Sequence, residues 1–195
     1  MWFHQHNAKT LPRQRFLWFA HGALFEHVFQ SQAHAFADIG MPVYEPRTFI
    51  TSGFQGTLGY GFATALGAKV GRPDQPVISA NGDGGFMYQV QELATAVQHN
   101  LPVVVVVFDN NAFGNVKLLQ KERFDSHFIA SDLKNPDFCA LAESFGAASF
   151  RAKDAAELES ALKKAFALRK PALIHVPCGE MPSPWPMLHM GRARG

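Results

Sequence analysis

The stretch NGDGGFMYQV, Asn81 to Val90, sets an aspartate between glycines directly after an apolar run, and FDNNAFGNV, Phe108 to Val116, sets a second polar cluster after another. Carboxylate and carboxamide oxygens are hard donors suited to Mg2+, a cation that keeps part of its coordination shell for phosphates. Gly82, Gly84 and Gly85 let the backbone come close to a ligand, and a helix expected to start near Phe86 offers unpaired amides to an anion. A carboxylate in such a turn repels phosphate unless a cation lies between them. On this reading Asp83 holds a metal ion and the metal holds a diphosphate. Two other readings stand beside it. A dinucleotide-binding fingerprint needs a third glycine at position 87, where this chain has Met87, although Asp109 could imitate its ribose-binding acid. A structural turn with Asp83 as helix cap accounts for the first cluster and leaves the second unexplained.

The surrounding elements decide whether the two clusters can meet. Tyr60 to Val70 is Ala-rich and helical, stopped by Gly71-Arg72-Pro73. Val77 to Ala80 is a short strand, and Phe86 to His99 puts Val90, Leu93, Ala94 and Val97 on one helical face. Val103 to Phe108 is five valines and a phenylalanine without polar alternation, the pattern of a strand covered on both faces of a parallel sheet. Asn135-Pro136 caps and opens a helix carrying Phe138, Leu141, Ala142 and Phe145, closed by Gly146. Asp154 with Glu157 is a capping-box-like start for a helix carrying Leu158, Ala161, Leu162, Ala165 and Phe166. Ala172 to Val176 is the last strand, with His175 read as a satisfied core or rim histidine. Strand, helix, strand connections of this length run parallel, so Asp83 and Asp109-Asn110-Asn111 fall on the same carboxyl edge, where open α/β sheets bind ligands.

At 195 residues, 47% hydrophobic and 17% charged, the chain can bury one sizeable core. A formal net charge of +2 with scattered Lys and Arg calls for neither nucleic acid nor membrane surface. Cys139 and Cys178 match no metal or redox spacing and are read as core thiols in a reducing cytosol, which gives a cytoplasmic expectation. Residues 1–40 hold five of the nine histidines and no clean period. They are read as a poorly defined, helical leader, 41–180 as the folded domain and 181–195 as an irregular tail. Phe16 to Phe29 faintly imitates a signal peptide, but His21, Glu26 and His27 interrupt it. His4-Gln5-His6 lacks companions for a tetrahedral metal set and is read as solvated.

Taken together, GDGGFMYQVQELATAVQHNLPVVVVVFDNNAFG resembles the diphosphate-binding domain of thiamine diphosphate-dependent enzymes, in the group of acetolactate synthase, benzoylformate decarboxylase and pyruvate decarboxylase. The family motif opens with Gly-Asp-Gly and ends in a double asparagine, and Asp83 and Asn110 stand 27 positions apart. Gln91 to Ala96 matches the acetolactate synthase-like branch. The resemblance implies a three-layer α/β fold with a mostly parallel central sheet flanked by helices. It implies Asp83, the Asn110 side chain and the Ala112 carbonyl as Mg2+ ligands, and Gly84 and Gly85 as diphosphate contacts. Upstream, SGFQGTLGYGFATALGA resembles the segment that meets the cofactor rings, with Gly56 accepting from the ring amine and Leu58 as the wedge that bends thiamine diphosphate. Thr57, Gly82, Phe113 and Gly114 complete the implied cofactor contacts.

Three departures matter. Asp109 replaces the leading asparagine of the pair. Gly114 to Gln120 lacks the Met- and Trp-bearing segment associated with acetolactate synthases. The glutamate that activates the cofactor comes, in the family, from a separate pyrimidine-binding domain, and Glu26 and Glu45 stand in no such context. The resemblance therefore implies the diphosphate-binding half of an enzyme acting on 2-oxo acids by decarboxylation or carboligation, inactive without a pyrimidine-binding domain or subunit and working as a homo- or hetero-oligomer. The competing expectation is a truncated or non-catalytic cofactor-binding fragment. Lys117 to Asp132 is expected to close over the site.

Overall fold

The computed structural model describes residues 26–30, 46–52 and 56–180. Expectations for the His4/His6 pair, Glu45 and the tail after residue 180 lie outside them. The elements, in chain order, are β1 (Glu26–Gln30), β2 (Phe49–Thr51), α1 (Tyr60–Gly71), β3 (Val77–Gly82), α2 (Asp83–Met87), α3 (Glu92–Gln98), β4 (Val103–Asp109), α4 (Gly114–Arg123), α5 (Phe138–Ser144), β5 (Ala148–Arg151), α6 (Ala155–Leu168) and β6 (Ala172–Pro177). They form a six-stranded sheet in the order β2-β1-β3-β4-β6-β5, with every neighbouring pair parallel. The expected parallel α/β architecture is present.

The valine run explains the layering. Successive side chains of a strand point to opposite faces, so Val103, Val105 and Val107 join a core with Phe62 of α1, Phe86 of α2, Leu93 of α3 and Phe138 of α5. Val104 and Val106 join a second core with Ala161 and Ala165 of α6. All five valines are buried. At about 1.5–3 kcal/mol for each fully buried valine, β4 is the main apolar anchor of the sheet. Ridges of rings then set the height of α2: Phe86 lies 5.6 Å from Phe62 and 6.0 Å from Phe138 between ring centroids.

Several sequence expectations need correction. Residues 86–99 are not one helix: α2 ends at Met87 and α3 starts at Glu92. Phe86 and Leu93 must both reach the same core, and a break lets each do so; Ala96 rather than Ala94 is buried. Glu26–Gln30 is strand, not helix, and sits between β2 and β3, so the sheet reaches back before residue 41. Asp137, not Asn135, caps α5, its carboxylate accepting from the Cys139 and Ala140 amides at 2.9 and 3.2 Å. Asp154 caps α6 as expected through the Glu157 amide at 2.8 Å, but the Glu157 carboxylate reaches the Lys153 amide one residue further back. Strands β2 and β5 and helix α4 carry no periodic signal strong enough to read from sequence. Neither cysteine is a core residue, since both Cys139 and Cys178 are only half-buried. Among the described residues, no helix is long and apolar enough to cross a membrane.

Candidate functional site

Register decides where the two polar clusters lie. Gly82 pairs with Phe108 across β3 and β4, so Asp83 and Asp109 leave the sheet side by side at its carboxyl edge. Asp83 is the first residue of α2, three positions ahead of the expected helix start. Both carboxylates are buried, Asp83 at 2% exposure and Asp109 at 7%.

The chain beyond β4 is bent by a local hydrogen bond. Asp109 Oδ1 accepts from the Asn111 amide at 3.0 Å, and Asn111 takes a left-handed conformation at φ 55°, a geometry that asparagine tolerates well. Ala112 then faces Asp132 in an antiparallel bridge. The bridge hydrogen bonds are made by its neighbours: Phe113 N–H to the Ser131 carbonyl and Leu133 N–H to the Asn111 carbonyl, each 2.8 Å. Ala112 is thus the non-bonded member, and in an extended chain its amide and carbonyl both turn away from the partner segment. Its amide donates to Asp83 Oδ2 at 3.2 Å, which fixes the direction of that turn. The Ala112 carbonyl therefore looks toward the same side as Asp83.

Asn135 fills the space between the two acids. Its Nδ2 donates to Asp83 Oδ2 at 2.7 Å and to Asp109 Oδ1 at 2.8 Å. Because a carboxylate only accepts, this assigns the NH2 end of Asn135 to that position. On the far side, Asp109 Oδ2 accepts from His175 Nε2 at 2.9 Å. His175 Nδ1 is buried without a hydrogen-bond partner among the described residues and the ring lies 5.3 Å from that of Phe138. The backbone just past β6 adds a last tie, Cys178 N–H to the Asp109 carbonyl at 2.8 Å.

The two acids differ in electrostatics. Burial pushes the Asp83 carboxyl up; the Asn135 hydrogen bond only partly offsets this, and the neighbouring charge of Asp109 adds to the rise. For Asp109, burial pulls upward too, but hydrogen bonds from Asn135, the Asn111 amide and His175 outweigh it and hold its carboxyl below the usual range. Burial, then the negative charges of Asp83 and Asp109, push the Cys178 thiol up to about 11. That thiol stays protonated and is no nucleophile.

The residues fit a hard divalent cation. Asp83 receives both amides on Oδ2, and neither touches Oδ1. Asn110 is half-buried, and no hydrogen bond among the described residues engages its side chain. With the Ala112 carbonyl these give one carboxylate and two neutral oxygens, a set that leaves positions open for phosphate and water. Among the described residues no three His, Cys, Asp or Glu side chains are arranged to hold a metal ion between them.

Other expected site residues fall as follows. Gly84 and Gly85 are buried in the first turn of α2. A Cβ on Gly84 would stand 2.5 Å from the Phe113 ring and 3.1 Å from Leu133 Cδ1, so the group that needs glycine there is Phe113 as well as any ligand. Gly82 precedes α2 and Gly114 begins α4. Gly56, Thr57 and Leu58 are exposed, Leu58 at 44%. A cleft of about 360 Å3 opens between Gly84, Tyr88, Phe113 and Asn135. Sequence reasoning missed the place of Asn135, taken for a cap, and the Asp109 partner of His175, read as a satisfied core or rim histidine. A surplus of caps at Asn135 and Asp137 was the available signal for the first. For the second it was a lone polar residue inside ALIHV, on the strand next to Asp109.

Residues 30–176, about three-quarters of the chain, match the family described as thiamine pyrophosphate enzyme, C-terminal TPP binding domain. The chain belongs to that family. It is similar to the acetolactate synthase large subunit of Haemophilus influenzae, 36% identical over 164 residues covering 83% of this chain and 29% of that protein. It is also similar to the acetolactate synthase isozyme 2 large subunit of Escherichia coli, 37% identical over 147 residues, 75% of this chain and 27% of that protein. The catalytic subunit from Saccharomyces cerevisiae mitochondria is 38% identical over 131 residues, 67% of this chain and 19% of that protein. The chain spans less than a third of the length of these relatives. It is thus a thiamine diphosphate-binding C-terminal domain of the acetolactate synthase-like kind, and its parallel sheet with helices on both faces is the three-layer arrangement of that domain.

Proposed function

We propose that this domain holds thiamine diphosphate through Mg2+, with Asp83, Asn110 and the Ala112 carbonyl as protein ligands, and serves as the diphosphate-binding half of an enzyme acting on 2-oxo acids by decarboxylation or carboligation. The observation that carries the reading is the turn at Asn111 and Ala112, which brings the Ala112 amide to 3.2 Å from the Asp83 carboxylate and so supports a ligand set drawn from the end of β4. Bound thiamine diphosphate supplies a nucleophilic carbon and an electron sink for the substrate. The protein's part is to fix the diphosphate end, to present Gly56, Thr57 and Leu58 to the rings, and to keep water from the site.

Activation of the cofactor falls to a pyrimidine-binding domain or subunit. Exposed Met87, Tyr88, Val116, Leu119, Phe124, Phe128 and Ile129, on α2, α4 and the segment after α4, support a partner surface beside the site. The reading is tested by calorimetric titration of thiamine diphosphate into the purified chain with Mg2+ and again with the metal chelated. Saturable binding that disappears on chelation is the expected result. Binding indifferent to metal would remove Asp83 and Asn110 from their roles.

A further inference from the structure

The departure at Asp109 raises a physical problem: a second buried carboxylate beside a metal-binding one should repel it and compete for the cation. The geometry resolves it, because every oxygen of Asp109 is already engaged. Oδ1 accepts from the Asn111 amide and from Asn135, and Oδ2 accepts from His175. Three donors therefore hold the Asp109 carboxylate, and the one from His175 ties it to β6. Asn135 spends both N–H bonds on the two acids, one each, and so sets the distance between them. The Ala112 amide and Asn135 both donate to Oδ2 of Asp83 and so fix the orientation of its carboxylate.

We propose that Asn135 and His175 are positioning residues of the metal site. Asn135 ties Asp83 to Asp109, His175 anchors Asp109 to β6, and together they aim the Asp83 carboxylate while keeping the extra acid out of the coordination sphere. The proposal rests on the Mg2+ and thiamine diphosphate reading above and adds to it two side chains outside the proposed ligand set. Outer partners that orient a ligating carboxylate typically change metal affinity by 10–100-fold when removed.

The experiment uses the full chain, titrated with Mg2+ at fixed thiamine diphosphate, with the metal concentration at half-saturation as readout and the melting temperature of the unliganded chain measured in parallel. Asn135→Ala is expected to raise that concentration at least about tenfold, with binding recovered at high metal. Asn135→Asp, which replaces a two-proton donor by an acceptor, is expected to raise it further. His175→Phe should follow Asn135→Ala, while His175→Gln, which keeps a donor, should partly restore the wild-type value. Asp154→Ala, at the distant cap of α6, should lower the melting temperature and leave the metal dependence alone. Wild-type half-saturation in Asn135→Ala would overturn the proposal and leave the functional reading intact. Should Asn135→Ala not fold, the His175→Phe and His175→Gln pair decides by the same readout: equal metal dependence in both overturns it. A wild-type chain that binds neither metal nor cofactor would overturn the functional reading and the braces with it.

Discussion

Asp83 combines two requirements that pull against each other. Its carboxyl is pushed up by burial and by its neighbour Asp109, so in the folded chain it binds a proton more tightly than in the unfolded one. The linkage has a definite sign. Such a group leaves stability untouched below the ordinary carboxylate range and costs stability as pH rises through its folded value. Asp109, whose carboxyl is held low, has the opposite sign: its contribution is present above the ordinary range and is lost as pH falls. Asp83→Asn should therefore raise the melting temperature of the unliganded chain at neutral pH while abolishing metal-dependent cofactor binding. A drop in melting temperature would show that the charge at Asp83 is stabilising after all. Leu58 offers a second separation of stability from function. At 44% exposure, its truncation to alanine should change stability by no more than about 0.5 kcal/mol, as surface substitutions usually do. Thiamine diphosphate affinity should nevertheless fall, and unchanged affinity in the titration would remove Leu58 from the cofactor contacts.

At the scale of elements, the contact between α2 and the start of α4 leaves no room for a side chain at position 84. Gly84 is buried under the Phe113 ring, which also lies 6.5 Å from the Tyr88 ring, centroid to centroid. An alanine at 84 places its methyl where the ring now stands, and overpacking of this kind costs about 1–3 kcal/mol. Gly84→Ala should be destabilised by that amount in chemical denaturation, and much of the loss should vanish in a Phe113→Ala background. Additive losses would mean that the clash is relieved elsewhere. The cap of α6 provides an independent calibration: Asp154→Ala should cost about 1 kcal/mol by removal of the acceptor for the Glu157 amide.

At the scale of the whole molecule, the face carrying Phe124, Phe128 and Ile129 sets the expected behaviour in solution, since Ile129 is 74% exposed. The chain should self-associate or capture a pyrimidine-binding domain, and Ile129→Lys with Phe124→Lys should reduce that association in sedimentation velocity. Turnover of 2-oxo acids is expected only after such a domain is supplied; ordinary enzymatic rates from the chain alone would refute the two-part arrangement.

The amino-acid sequence by itself determined the sheet's centre and the chemistry at its edge. Five consecutive valines can be buried only between two helical layers, and glycine-flanked Asp83 with Asn110 names hard oxygen donors whatever the path between them. These are local properties of residue type and period, and they survive without coordinates. The break between α2 and α3, the placement of Glu26–Gln30 inside the sheet, and the choice of Asp137 over Asn135 as cap were decided by tertiary structure, because each depends on which of two adequate local options packs against a distant element. The same holds for the pairings across the site. Asn135 lies 52 positions from Asp83, and His175 lies 66 from Asp109. No spacing rule links such residues; the parallel register of β4 and β6 brings His175 beside Asp109, and the antiparallel bridge between Ala112 and Asp132 brings the segment carrying Asn135 beside Asp83.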